Sequence, residues 1–260
     1  MSTPAPTAKS LLLPKEHGSW SLAFEPVVLG LLVAPSRAGA ALAAAVALGF
    51  LTRRPLKLAV TSPADDSRRA PAAKFARWFA GWAIAALVAA GAFGSWRALW
   101  PLLLAAPFGA AFLWFDLRNA MREAEAELAG SIAFALVPAA FATLAGWPAA
   151  AALALATISL GRNVPTVLTV RTYLRLGKGQ VAARGPAIVT AACGVAGLVA
   201  FAAFGLVPWL AAGLAGVLLA RTIFLLSGRR LPWSARQIGQ LEAGLGVLGL
   251  ALIAGAYWAA

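Results

Sequence analysis

Runs of apolar residues, separated by short polar stretches, recur along the chain from residue 19 to its end. Most runs approach the ~20 residues that an α-helix needs to cross the hydrocarbon core of a bilayer. This pattern predicts nine membrane-spanning helices, which form one domain over 19–260 behind a polar N-terminal tail over 1–18. The predicted spans are 19–35, 39–52, 77–94, 98–115, 129–146, 148–163, 186–205, 208–226 and 238–258.

The spacing between the runs predicts how the helices pair. Four links are only a few residues long and contain Gly or Pro, which favours tight helical hairpins. They are PSRAG near residue 35, GSWRA near 94, GWP near 146 and GLVPW near 205. Trp96, Trp147 and Trp209 lie in or beside these links, where tryptophan is typical of an anchor at the membrane interface.

Composition agrees with this class of protein. Hydrophobic residues make up 61% of the chain and charged residues 12%, whereas a soluble domain carries about 25% charged residues. The predicted fold class is therefore all-α, a polytopic membrane helical bundle. The single cysteine, Cys193, excludes an intrachain disulfide.

The basic residues predict the orientation of the bundle. Of the 22 Lys and Arg residues, 19 lie in the N-terminal tail or in alternate connecting stretches. Those stretches are 53–77, 116–128, 161–184 and 227–236. The positive-inside rule then places the N-terminus in the cytoplasm and the C-terminus outside, in a bacterial cytoplasmic membrane. Topology and attraction to anionic lipid account for the net charge of +13 without nucleic-acid binding.

Two ionisable residues near the first span raise the question of function. His17, the only histidine, lies in the segment PKEHGSW, in which Pro14 and Gly18 indicate a re-entrant or capping turn. Glu25 lies about two turns inside the span, where an ionised side chain costs up to roughly 3 kcal/mol. It therefore predicts either a polar cavity or a partner on a neighbouring helix.

Further polar residues lie close to the ends of other spans. Asp116 ends the fourth span, and Arg162 and Asn163 precede Pro165, which we expect to kink or end the sixth helix. Arg221 and Glu242 approach each other along the chain, which predicts a structural ion pair.

Arginine forks suit phosphate oxygens, because they are always charged and donate two parallel hydrogen bonds. The candidate residues for binding a ligand or its phosphate are Arg53, Arg54, Lys57, Arg162, Asn163, Arg171 and Arg175. The alternative for Arg171 and Arg175, four residues apart, is an interfacial helix that contacts lipid headgroups. The candidate catalytic residues are His17, Glu25 and Asp116, and no metal ligands are predicted.

These candidates all lie towards the predicted cytoplasmic face, whereas the outer half of the bundle is almost purely apolar. We therefore hypothesise a polar cavity that opens to the cytoplasm. In this hypothesis His17 and Glu25 face helices that carry Asp116, Arg162 and Arg221.

The segment LPKEHGSW, with RRPLK after the second span and RNVPTVLTVRTYLRLGKG after the sixth, resembles the YwiC-like family of bacterial membrane proteins. This resemblance covers most of the chain. It implies an integral membrane protein but no particular reaction.

In span count, orientation and loop placement the chain is also similar to the UbiA superfamily of intramembrane prenyltransferases. That similarity implies an active site under the loops after the second and sixth helices, with Mg²⁺ held by aspartate-rich motifs. The chain departs from this pattern, because the first loop offers only Asp65 and Asp66 and the stretch 161–184 contains no acidic residue. Mg²⁺ is thus expected only if the protein acts as these enzymes do.

Three functions remain open from the sequence. The first is a non-catalytic membrane protein that binds an anionic lipid, a quinone-like molecule or an unidentified protein partner. The second is a UbiA-like transferase that acts on an isoprenoid or other lipid diphosphate. The third is a small-anion transporter, although the apolar outer half offers no polar row for a second gate.

Overall fold

A computed structural model describes residues 17–121, 123–228 and 232–259, and within these ranges it contains helices and no strands. The nine main helices are α1 (His17–Val33), α2 (Arg37–Thr61), α3 (Arg69–Phe93), α4 (Pro101–Leu117), α5 (Ala124–Leu144), α6 (Ala149–Gly177), α7 (Gly185–Ala203), α8 (Trp209–Leu226) and α9 (Ala235–Trp258). A short 3₁₀ helix, Trp96–Leu99, lies between α3 and α4.

Each predicted span corresponds to one of these helices, which confirms the all-α class. Six of the helices, namely α3 and α5 to α9, are long and apolar enough to cross a membrane. Two others, α1 and α4, are apolar but shorter. The protein is therefore an integral membrane protein by the length and composition of its helices.

Two helices extend beyond their predicted ends. The sixth continues through Pro165 to Gly177, and the second continues through Pro55 to Thr61. Pro165 was expected to kink or end the helix, and the second of these alternatives is wrong. The helix continues because the residues that follow Pro165 are packed against neighbouring helices. Val167, Thr169 and Tyr173 are all buried, and a tertiary environment of this kind overrides the local preference of proline.

The first helix begins at His17, so residues 17–20 of the segment expected to form a re-entrant or capping turn are helical. Residues 14–16, the start of the PKEHGSW segment, lie outside the described part of the chain. The side chain of His17 also lies outside it.

Helix α1 lies at the centre of the bundle and contacts α2, α5, α6 and α9. Its close packing against α5 depends on Gly30, since an added Cβ there would lie 2.5 Å from the ring of Phe141. Helices α1 and α9 run parallel, because Trp258 Nε1 donates a hydrogen bond to the carbonyl oxygen of Leu32 while Gly246 lies beside Glu25. The polar residues of α1 are thereby held inside the bundle.

Candidate functional site

The predicted need of Glu25 for a partner is met by Arg162 on α6. The Arg162 guanidinium donates from Nε to Glu25 Oε2 at 2.6 Å and from Nη2 to Oε1 at 3.2 Å. Ser21, one turn earlier on α1, also donates to Glu25 Oε1. Both charged side chains are largely buried, with 14% of Glu25 and 17% of Arg162 exposed. This two-bond geometry is the strong form of the arginine–carboxylate interaction.

A second ion pair joins Arg221 on α8 to Glu242 on α9, which confirms the pair predicted from the sequence. Arg221 Nη2 also donates to Thr166 Oγ1 at 3.3 Å. The two ion pairs are connected, since Arg162 Nη2 donates to the backbone carbonyl of Glu242 at 2.9 Å. We call Glu25, Arg162, Arg221 and Glu242 the polar quartet. It links four helices, and its two carboxylates balance its two guanidinium groups.

Helix α9 closes over this network at a glycine. Gly246 lies one turn after Glu242, and a Cβ added to it would lie 2.6 Å from Arg162 Nη2 and 2.6 Å from the carboxyl carbon of Glu25. A side chain at this position would displace the ends of Glu25 and Arg162, which their mutual hydrogen bonds oppose. The position of Gly246 therefore fixes how closely α9 approaches the Glu25–Arg162 pair.

A cavity of about 100 Å³ lies beside the quartet, between α1, α6, α7, α8 and α9. Its polar lining consists of Glu25, Ser159, Arg162 and Asn163. The rest of its wall is apolar; examples are Leu29, Leu198, Leu214, Leu218, Leu245 and Ile253. A mostly apolar cavity with a few convergent polar groups is typical of a small-molecule site.

The cavity reaches the outer surface of the bundle between α8 and α9. Val217 on α8 and Leu248 on α9 both line it, and they are 56% and 54% exposed. Their exposed surfaces are apolar, so this opening faces lipid rather than water in a membrane-embedded bundle.

Hydrogen-bond donors remain available at the polar wall of the cavity. Arg162 uses Nε and Nη2 in the bonds described above, and Nη1 makes no hydrogen bond to any described residue. Asn163 donates from Nδ2 to the carbonyl oxygen of Leu22 over a long 3.5 Å. The wall can therefore donate to an acceptor atom of a bound molecule.

Asp116 forms a separate polar cluster at the end of α4. It is 2% exposed and accepts hydrogen bonds from Arg53 Nε and, at 2.9 Å, from Lys57 Nζ. The Arg53 guanidinium also lies 4.7 Å from the centre of the Phe112 ring, which is a cation–π distance. Asp116 thereby joins α2 to α4.

Aromatic side chains lie between these two polar clusters. Trp20 and Phe24 on α1 contact Phe50 on α2, which contacts Phe134 on α5, and Phe134 in turn contacts Phe112. The cavity lining includes Glu25 and Arg162 but neither Asp116 nor Arg53. The structure therefore does not bring Glu25 and Asp116 to a common cavity.

The remaining arginine candidates lie near the other end of α6 and on α2. Arg171 pairs with Glu127 on α5 at 3.1 Å. Arg175 is exposed near the end of α6, and Arg54 is partly buried on α2. Arg54 and Arg175 do not line the cavity.

The loop between α2 and α3 contains Asp65 and Asp66, the two aspartates considered above for their similarity to the UbiA pattern. Asp66 accepts hydrogen bonds from the Arg68 side chain, at 2.7–3.1 Å, and from its backbone N–H. These bonds from Arg68 lower the pKa of Asp66 to about 2, and the carboxylate raises the pKa of Arg68. Asp66 is thus ionised and paired at physiological pH. Within the described residues, no group of three or more His, Cys, Asp or Glu side chains could hold a metal ion.

The sequence pointed to the charged residues of the cavity but not to the small residues that shape its wall. Ser159, Gly246 and Gly249 are small residues that line the cavity wall. The one available signal was on α9, where Glu242 and Gly246 are four residues apart and so share a helix face. A glycine one turn after a buried acid indicates close approach of another chain segment.

Only the first half of the chain matches a known protein family. The profile of a family described as YwiC-like protein matches residues 13–142, which is half of the 260 residues. The matched part contains Glu25 and Asp116, whereas Arg162, Arg221 and Glu242 lie beyond it. No curated protein and no solved structure matches the chain.

Proposed function

The chain belongs to the YwiC-like family, and we propose that it binds a membrane-dissolved amphiphile in the cavity beside the polar quartet. The polar head contacts Arg162 and Asn163, and the apolar tail leaves the cavity between α8 and α9. The single observation that carries this proposal is the cavity itself. It combines an almost entirely apolar wall with a buried, hydrogen-bonding charged pair at one side.

Four ionised side chains inside a membrane bundle are expensive, by roughly 2.5–3.5 kcal/mol each at a helix centre before pairing. Pairing offsets part of this, but a wholly structural pair has no need of an adjoining cavity. Intramembrane ionisable groups that line a cavity are typical of ligand sites. We therefore assign the quartet to positioning Arg162 at the cavity wall.

The opening favours a ligand that comes from the bilayer. Val217 and Leu248 border the cavity and are exposed on the lipid-facing surface. A molecule with an apolar tail can pass between them without exposing that tail to water. A water-soluble anion, as in the transporter hypothesis, would cross an apolar surface instead.

The size of the cavity limits the ligand's head. A dry cavity of about 150 Å³ in another protein holds a benzene molecule, so about 100 Å³ admits a head of a few heavy atoms. The tail then occupies the cleft between α8 and α9 rather than an enclosed tunnel. A single acyl or prenyl chain fits this description.

The test is a thermal shift on purified, detergent-solubilised protein. The probes are geranylgeraniol and geranylgeranyl diphosphate, the latter with and without Mg²⁺. A ligand at about 100 times its Kd stabilises the folded state by about 2.7 kcal/mol, which corresponds to a rise in Tm of about 5 °C or more for a chain of this size. We expect at least one probe to produce such a rise.

Two glycines on α9 provide a matched pair of variants. Gly249 lines the cavity and Gly244 is exposed outside it, and an added Cβ meets no atom within 4 Å at either position. Gly249→Leu fills the cavity and removes the shift, whereas Gly244→Leu keeps it. A shift that survives Gly249→Leu, or no shift with any probe, would contradict the proposal. A rise that requires Mg²⁺ would instead favour a UbiA-like transferase.

A further inference from the structure

The charge balance of the polar quartet limits what kind of head the cavity accepts. Glu25 and Glu242 carry two negative charges, and Arg162 and Arg221 carry two positive charges. Each guanidinium is bonded to a carboxylate within the same set. Among the described residues, the cavity wall contributes no other ionisable side chain. The site as a whole is therefore neutral.

We infer that the cavity selects an electrically neutral head that accepts hydrogen bonds, such as a carbonyl or hydroxyl oxygen, over an anionic head. This inference rests on the proposed function and specifies its ligand class. It departs from the anionic lipid that the abundance of arginine led us to expect from the sequence.

Adding a charge to this neutral site is energetically unfavourable. An anionic head would bring a net charge of −1 into a neutral, mostly apolar cavity, and the burial of an uncompensated charge in such surroundings is strongly unfavourable. Arg162 cannot offset this charge without leaving Glu25, which accepts its Nε and Nη2 bonds. Release would leave Glu25 itself buried and unpaired.

The polar wall of the cavity can donate a hydrogen bond to a neutral head. Arg162 Nη1 has no hydrogen-bond partner among the described residues, and its side chain lines the cavity. A neutral oxygen that accepts from Nη1 leaves both ion pairs intact. Glu25 can in addition accept a hydrogen bond from a hydroxyl or amide N–H of the same head. A neutral head is thus accommodated by the network as it stands.

The experiment compares two chain-matched probes of nearly equal shape, oleic acid and oleamide. Oleamide is neutral at every pH used. Oleic acid dissolved in a detergent micelle, where the low polarity raises the pKa of its carboxyl, is largely protonated at about pH 5.5 and ionised at about pH 9. We expect oleamide to bind the wild-type protein about tenfold or more tightly than oleate at the higher pH. The difference shrinks at the lower pH, where the acid is neutral as well.

Changing the charge of the site should change this preference. Glu25→Gln leaves the quartet with a net charge of +1, so oleate gains relative to oleamide at about pH 9. Glu125→Gln is the matched control, because Glu125 is an exposed acid on α5 outside the cavity. Partitioning of each probe into detergent is the same for every variant, so a change in the ratio of the two affinities belongs to the protein.

The outcomes separate this inference from the proposed function. Tighter binding of oleamide, with a reversal or loss of preference in Glu25→Gln, supports it. Equal or tighter binding of oleate by the wild type at about pH 9 overturns it while leaving the cavity as a lipid site. If neither probe binds in a way that Gly249→Leu prevents, the inference is overturned, and the proposed function is decided by the prenyl probes. If Glu25→Gln does not fold, the wild-type affinities for oleamide and oleic acid at the two pH values test the inference by themselves.

Discussion

Single side chains decide the chemistry of this bundle, and the Glu25–Arg162 pair shows how far they can be read from the sequence. That Glu25 needs a partner or a cavity follows from its depth in an apolar run. The sequence does not show which arginine pairs with Glu25, because Arg53, Arg162 and Arg221 all lie near the same side of the predicted bundle. The choice depends on helix neighbours 137 positions apart in the chain. Partner assignment is therefore a property of the fold rather than of the local sequence.

Gly246 provides a test of this local geometry. In Gly246→Ala the new methyl group would lie 2.6 Å from Arg162 Nη2, and overpacking of this kind destabilises a protein by about 1–3 kcal/mol. The loss outweighs the gain of up to about 1 kcal/mol from replacing a helical glycine with alanine. We expect a lower Tm for Gly246→Ala in a detergent-solubilised preparation.

The control for that substitution is Gly239→Ala on the same helix. Gly239 is exposed, and an added Cβ meets no atom within 4 Å, so only the helix-propensity gain applies and Tm stays level or rises. A Tm for Gly246→Ala at or above that of Gly239→Ala would show that α9 does not approach the pair as closely as described.

At the scale of helices, the presence of each helix could be predicted from the sequence, but the residues at which α2 and α6 end could not. The apolar run length is set by bilayer thickness, so each helix could be located from hydropathy alone. The ends of α2 and α6 were placed too early, because charged residues and a proline are both local signals of termination. In the structure Asn163, Pro165 and Thr166 are buried against other helices, and this packing keeps α6 helical to Gly177.

The contact between α2 and α4 depends on one carboxylate. Asp116 is 2% exposed and bonds both Arg53 and Lys57, so Asp116→Asn takes the negative charge from between two cations. Breaking a buried ion pair in this way costs about 3–5 kcal/mol. We expect the variant to unfold at a clearly lower denaturant concentration, measured by helical circular dichroism during titration with sodium dodecyl sulfate.

Asp65→Asn is the comparison for that experiment. Asp65 is exposed in the loop between α2 and α3, and neutralising a surface charge changes stability by less than about 1 kcal/mol. If Asp116→Asn and Asp65→Asn unfolded at the same point, Asp116 would not hold α2 to α4.

At the scale of the whole molecule, the all-α class and the nine main helices of the described residues followed from the sequence, but the arrangement of the helices did not. The hydropathy of a helix does not specify which other helices it contacts. The central position of α1, and the cavity beside the polar quartet, follow from close contacts at small residues such as Gly30 and Gly246. Those two are hard to distinguish by sequence among the chain's 25 glycines, because at most of the described glycines an added Cβ would meet open space.

The orientation of the bundle is a prediction for the whole molecule. The distribution of basic residues places the loop between α2 and α3 inside the cell, and both the α3–α4 turn and the C-terminus outside. In a Cys193→Ala background, single cysteines at Asp65, Arg97 and Ala259 report these three places, since the first two are exposed in connections and the third follows α9. A membrane-impermeant maleimide applied to spheroplasts should label Arg97→Cys and Ala259→Cys at once. Asp65→Cys should react only after permeabilisation, and the opposite pattern would invert the bundle.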